Sequence, residues 1–127
     1  MINTSLVSAA VLTVAIGVIH SWLGERRLIG PLLAAVGRRQ GMLERSVFAR
    51  QVLRFAWHLT TLAWWGFGAL LVDLSLGTID VRSRSILGIV AMTFLITGMA
   101  ILVSSRGRHL AWPVFFLIAA LTLAPTL

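Results

Sequence analysis

Residues 3–24 contain no aspartate, glutamate, lysine or arginine. A helix of about 20 such residues is as long as the hydrocarbon core of a bilayer is thick. It also offers water no polar face. Such a stretch reads as a membrane span. The composition agrees, with 58% hydrophobic and 12% charged residues, where a soluble domain carries about a quarter charged residues.

Three more apolar segments follow, at 52–73, 85–104 and 109–127. In lipid every backbone amide must find its partner within the chain, so these segments are expected to be helices. The expected fold is all-α, one domain over 1–127, an integral membrane four-helix bundle. The first span lacks a basic start, which argues against a cleaved signal peptide. Pro113 lies in the first turn of the fourth span, where a missing amide proton costs little.

All eleven basic residues are arginine, against four acids, for a net charge of +7. Their distribution reports topology rather than nucleic-acid binding. The 25–51 connection carries Arg26, Arg27, Arg38, Arg39, Arg45 and Arg50, and the 105–108 connection carries Arg106 and Arg108. Only Arg82 and Arg84 lie in the connection between spans two and three. Cytoplasmic loops collect arginine. Both termini are therefore expected on the outer, periplasmic side of an inner membrane, with loops 25–51 and 105–108 cytoplasmic. Loop 25–51 is itself apolar around Pro31 and reads as a short interfacial helix or hairpin. Gly37 and Gly41 mark a turn within it, and Val47 and Val52 suggest that the second span begins early.

Two stripes stand out on the spans. Gln51, Arg54, His58, Thr61, Trp65 and Gly68 share one helical face, and an arginine–histidine pair on such a face points into a bundle. Ala9, Thr13, Gly17 and Ser21 recur every fourth residue, a spacing that lets a neighbouring helix approach. Gly88, Ala91 and Gly98 suggest the same on the third span.

The three histidines, His20, His58 and His109, fall on three different spans at one expected membrane level, with Glu25 the nearest acid. His58 lies roughly 9 Å inside its span, six residues at ~1.5 Å each. Imidazoles plus a carboxylate suit Zn²⁺, Fe²⁺ or Cu²⁺. The alternative cofactor is haem b, with two histidines as axial ligands. Gly17 and Gly24 would then make room for the macrocycle, and Arg26, Arg27, Arg54 and Arg108 would meet the propionates. In outline this resembles the four-helix membrane cytochromes b, without a matching motif. Redox or sensing chemistry would follow.

Glu25 also has an ion-pair role open to it, with Arg26, Arg54 or Arg108 as partner. Trp22, Trp57 and Trp112 suit an aromatic belt at the interface. Ser21 and His20 cannot form a dyad, because helix neighbours diverge by about 100°. A hydrolase would need Ser21 or Thr61 activated by a histidine from another helix. The competing function is an accessory subunit that docks through its tryptophan-rich and small-residue faces. The expected partners are thus the bilayer and either a second copy or a larger membrane complex, with no nucleic acid.

Overall fold

The computed structural model describes residues 1–36 and 47–127. The turn expected at Gly37 and Gly41, and Arg38, Arg39 and Arg45, lie outside the described residues. Among the described residues the chain is all-helical, with no strand. The helices are α1 (Thr4–Gly24), α2 (Gly30–Val36), α3 (Val47–Leu76), α4 (Val81–Ser105) and α5 (Trp112–Leu123), the last followed by a 3₁₀ turn, Ala124–Thr126. Three apolar helical stretches are long enough to cross a membrane: Thr4–Ala34, Val47–Leu76 and Val81–Ser105. The stretch Trp112–Thr126 is apolar but shorter.

The boundaries differ from the sequence expectation in three places, each with a physical reason. Helix continues past Gly24 through a π turn, Glu25–Ile29, in which the Gly30 amide donates to the Glu25 carbonyl. Pro31 accounts for the widening, because a proline ring clashes with the carbonyl four residues earlier in a regular helix. Residues 25–36 are therefore an extension of α1, not a separate hairpin. The second helix starts at Val47 and ends at Leu76, beyond 52–73 at both ends. The last helix starts at Trp112, three residues after the expected 109. Arg106 and Gly107 take positive φ values of 52° and 77° and end α4 in a left-handed turn, closed by the Gly107 amide on the Leu102 carbonyl at 2.9 Å. Pro113 does lie in the first turn of α5.

Asp80 starts α4. Its Oδ1 accepts from the Ser83 amide and the Ser83 hydroxyl, both at 2.7 Å, which satisfies an amide that the helix leaves unpaired. These bonds hold the Asp80 carboxyl below the usual carboxylate range, the Ser83 side chain contributing most. The folded state thus binds this proton less tightly than the unfolded state. The cap is complete above the ordinary carboxylate range and is lost as pH falls through the lowered value. Exchange of the Ser83 amide is expected to accelerate over that acidic window. In Asp80→Asn, which keeps the oxygen acceptor and cannot titrate, the acceleration should disappear.

The described residues form two compact units, Met1–Ile16 with Trp65–Leu127, and Gly17–Trp64. In the first unit, Phe94 and Phe115 stack at 5.9 Å, and Phe67 meets Phe94 edge-on at 5.7 Å. Leu6, Leu71, Leu87 and Ile118 are fully buried around them. A Cβ on Gly98 would come within 2.7 Å of the Phe116 ring, so α4 and α5 approach as only glycine allows. A Cβ on Gly68 of α3 would lie 3.2 Å from a Val14 methyl of α1, a tight contact that a shift of a few tenths of an ångström relieves. Ala91 is buried, while a Cβ on Gly88 would meet nothing within 4 Å, so Gly88 is not a contact point. Phe48, Phe55, Leu62, Ile89 and Val103 are exposed. That much apolar surface is foreign to a soluble monomer and consistent with a membrane protein.

Candidate functional site

The site lies in the unit Gly17–Trp64, between the C-terminal end of α1 and the first half of α3. On α1, Ser21 and Glu25 are one turn apart. On α3, Arg54, His58 and Thr61 share a face by the same periodicity. The two rows meet. Arg54 Nη2 pairs with Glu25 Oε1 at 2.7 Å. The other carboxylate oxygen, Oε2, lies 3.4 Å from His58 Nε2. His58 Nδ1 is 2.8 Å from the Ser21 hydroxyl, which is also 2.8 Å from the Thr61 hydroxyl.

The proton positions follow from what each group can do. A carboxylate only accepts, so His58 Nε2–H donates to Glu25. Ser21 Oγ joins His58 Nδ1 and Thr61 Oγ1 in one hydrogen-bonded row: a neutral ring accepts at Nδ1 from the Ser21 O–H, and a protonated ring donates there to the Ser21 oxygen. The result is a chain Thr61–Ser21–His58–Glu25, with Arg54 holding the carboxylate end. Glu25 side-chain exposure is 34%, His58 40% and Arg54 52%, so the carboxylate end is open to its surroundings. The Ser21–Thr61 end is closed, since Thr61 is buried and its hydroxyl also reaches the Gly17 carbonyl at 3.4 Å.

His20 occupies a neighbouring seat. Its ring stacks on Trp57 at 4.3 Å, 7° from parallel, and meets Trp64 edge-on at 4.9 Å. Thr60 Oγ1 gives its own proton to the Trp57 carbonyl at 2.7 Å, so it accepts from His20 Nε2 at 3.1 Å. The Trp57 indole N–H donates back to the His20 carbonyl at 3.3 Å. Gly24 makes this possible: a Cβ there would overlap the Trp57 indole.

The residues singled out from sequence therefore have different fates. Glu25, Arg54 and His58 come together, and Glu25 takes Arg54 from among the three arginines open to it. Gly24 gives its space to Trp57, and Gly17 is buried and offers its carbonyl to Thr61. His20 sits in the aromatic seat. His109 belongs to the other unit, where its Nδ1 accepts from the Ala111 amide at 3.3 Å ahead of α5. Among the described residues, no group of three or more His, Asp or Glu side chains is placed to hold a metal ion. No family model, curated protein or solved structure matches the chain. The site must be read from its own chemistry.

Trp57, Thr60 and Trp64 follow helical spacings of three and four and form one seat, but in sequence only Trp57 stands out, as a residue of an interface belt. Ser21 reads both as part of a small-residue stripe and as a hydroxyl open to a histidine of another helix, and its contact with His58 is of the second kind.

Proposed function

We infer that the protein is an inner-membrane helical protein of four crossings, with both termini outside. Its site would exchange a proton with the polar head of an amphiphilic ligand at the cytoplasmic edge of the hydrocarbon. The arginine distribution supports the orientation. Helix length supports the depth. The stretch Thr4–Ala34 has 31 residues, which at ~1.5 Å each is about 46 Å, against about 30 Å of hydrocarbon. Counted from Thr4, the far boundary falls near Leu23. Counted back from the end of α3, it falls near residues 53–57. Ser21 and His58 thus lie within about a turn of that edge, and Glu25 and Arg54 at or beyond it. The short Trp112–Thr126 helix would make the fourth crossing as the antiparallel partner of α4.

The observation that carries the functional reading is the holding of His58 at both ring nitrogens, by Glu25 and by Ser21. A carboxylate-oriented imidazole with a hydroxyl on its other nitrogen is the arrangement of a general base or proton relay. Histidine fits because it both accepts and releases a proton near neutral pH.

A second reading, a transition metal or haem, has one observation in its favour. Proteins also orient metal-ligating histidines with a carboxylate on the other ring nitrogen. His58 would then ligate through Nδ1, in place of its contact with Ser21.

One preparation separates the two. The full chain, purified without chelator, is examined by ¹⁵N spectroscopy of its histidines, metal analysis and visible absorption. The proton-exchange reading expects His58 protonated at Nε2 and accepting at Nδ1, with that preference lost in Glu25→Ala. A His58 protonated at Nδ1 would overturn it. So would a Soret band, or one metal per chain, that vanishes in His58→Ala; either result establishes the cofactor reading.

A further inference from the structure

We propose that Trp22, Arg26 and Arg27 form a binding site for the phosphate of an anionic phospholipid. The site lies on the face of the α1 extension next to the Ser21–Glu25 row. The proposal rests on the membrane reading above and is independent of the chemistry of His58.

The Arg26 guanidinium lies over the Trp22 ring, 5.3 Å from its centroid. Trp22 is 59% exposed, so the pair is presented outward. Cation–π contact holds the guanidinium by its face and leaves its edge N–H groups free to fork onto two oxygens of one anion. Among the described residues, no carboxylate supplies that anion. Glu25, the adjacent acid, is taken by Arg54 and His58. Among the described residues, no carboxylate lies within ion-pair distance of Arg26. Arg27, next in sequence and exposed, adds a second positive charge at the same level of the helix. Val18, one turn before Trp22 on the same face, is 50% exposed and continues the surface into the hydrocarbon. An isopropyl group, an indole and a guanidinium, one turn after another, match a phospholipid from acyl chain through glycerol to phosphate. With the hydrocarbon boundary near Leu23, the guanidiniums fall at phosphate depth.

The test is native mass spectrometry of the full chain in detergent with added phosphatidylglycerol or phosphatidylcholine. The expected result is preferential retention of phosphatidylglycerol. That preference should fall about fivefold in Arg26→Gln, from about 1 kcal/mol per basic residue near an anionic surface. It should fall about twofold in Trp22→Leu, where the charge stays but loses its support, and in Arg26→Lys, where the charge stays but the fork is lost. Arg82→Gln, which removes an exposed charge from another loop, should change nothing. The proposal is overturned if Arg82→Gln matches Arg26→Gln, since net charge alone would then explain retention. It is equally overturned if Arg26→Lys is silent, or if millimolar inorganic phosphate displaces the lipid. Failure of the chain to enter bilayer nanodiscs would instead strike the membrane reading.

Discussion

Gly24→Leu is expected to destabilise the protein by about 1–3 kcal/mol, the usual effect of forcing a side chain into occupied space. A Cβ at this position overlaps the Trp57 indole, and that indole cannot yield alone. It stacks on His20 and donates to the His20 carbonyl, so moving it unseats the histidine. The adjacent α3 residue is His58. Displacing Trp57 therefore also pulls on the hydrogen bond to Ser21. Two readouts check this: the thermal midpoint in detergent, and the His20 and His58 ring resonances, which should shift together. Gly66→Leu is the control, because a Cβ at Gly66 meets nothing within 4 Å. A Gly24→Leu protein as stable as Gly66→Leu would show that the close approach of α1 and Trp57 does not hold the site.

Gly24 also shows what the sequence does and does not encode here. The helices were legible because lipid-facing helices need apolar residues on every side, a signal that survives without knowledge of neighbours. Their ends were less legible. The turn that delays α5 to Trp112 depends on Arg106 adopting φ = 52°, which nothing in its side chain demands. Pro31 marked a disturbance correctly, but helix widening and helix breaking leave the same trace in a sequence.

The site was legible by residue type and not by partner. His58, Glu25 and Arg54 are conspicuous as polar groups at the ends of apolar runs. Their pairing depends on the register between α1 and α3, which are separated in the chain by residues 25–46. Sliding one helix by a turn would give Glu25 a different partner with the same residues. Ser21 shows the consequence. It cannot use His20, its neighbour in sequence, for the helical reason given above. It uses His58 instead, 37 positions away. Depth alone placed three histidines at one level. Direction sends His20 into an aromatic seat and His58 into the hydrogen-bonded chain.

Glu25 carries the second large effect, because it is the one acceptor shared by two donors. Glu25→Ala is expected to cost about 1–2 kcal/mol. Two unit charges 4 Å apart attract by about 4 kcal/mol at an effective dielectric constant of 20, but desolvation and screening offset most of that. Side-chain exposures of 34% and 52% for Glu25 and Arg54 place the pair nearer the solvent-screened limit than the buried one. Interhelical polar contacts in membrane proteins average about 0.6 kcal/mol and reach about 1.7, and Glu25 makes two. The loss should be non-additive. Arg54→Ala on top of Glu25→Ala should add little, giving a coupling energy of about 1 kcal/mol in a double-mutant cycle. Raising the ionic strength should shrink that coupling, as it does for half-exposed pairs. Glu25→Gln distinguishes the two roles of the side chain. Its amide oxygen can still accept from His58 Nε2 while the ionic contact with Arg54 is gone, so it should recover about half of the stability. A cycle with no coupling would mean that Arg54 and Glu25 are neighbours without holding each other. Glu25 would then orient His58 without support from Arg54.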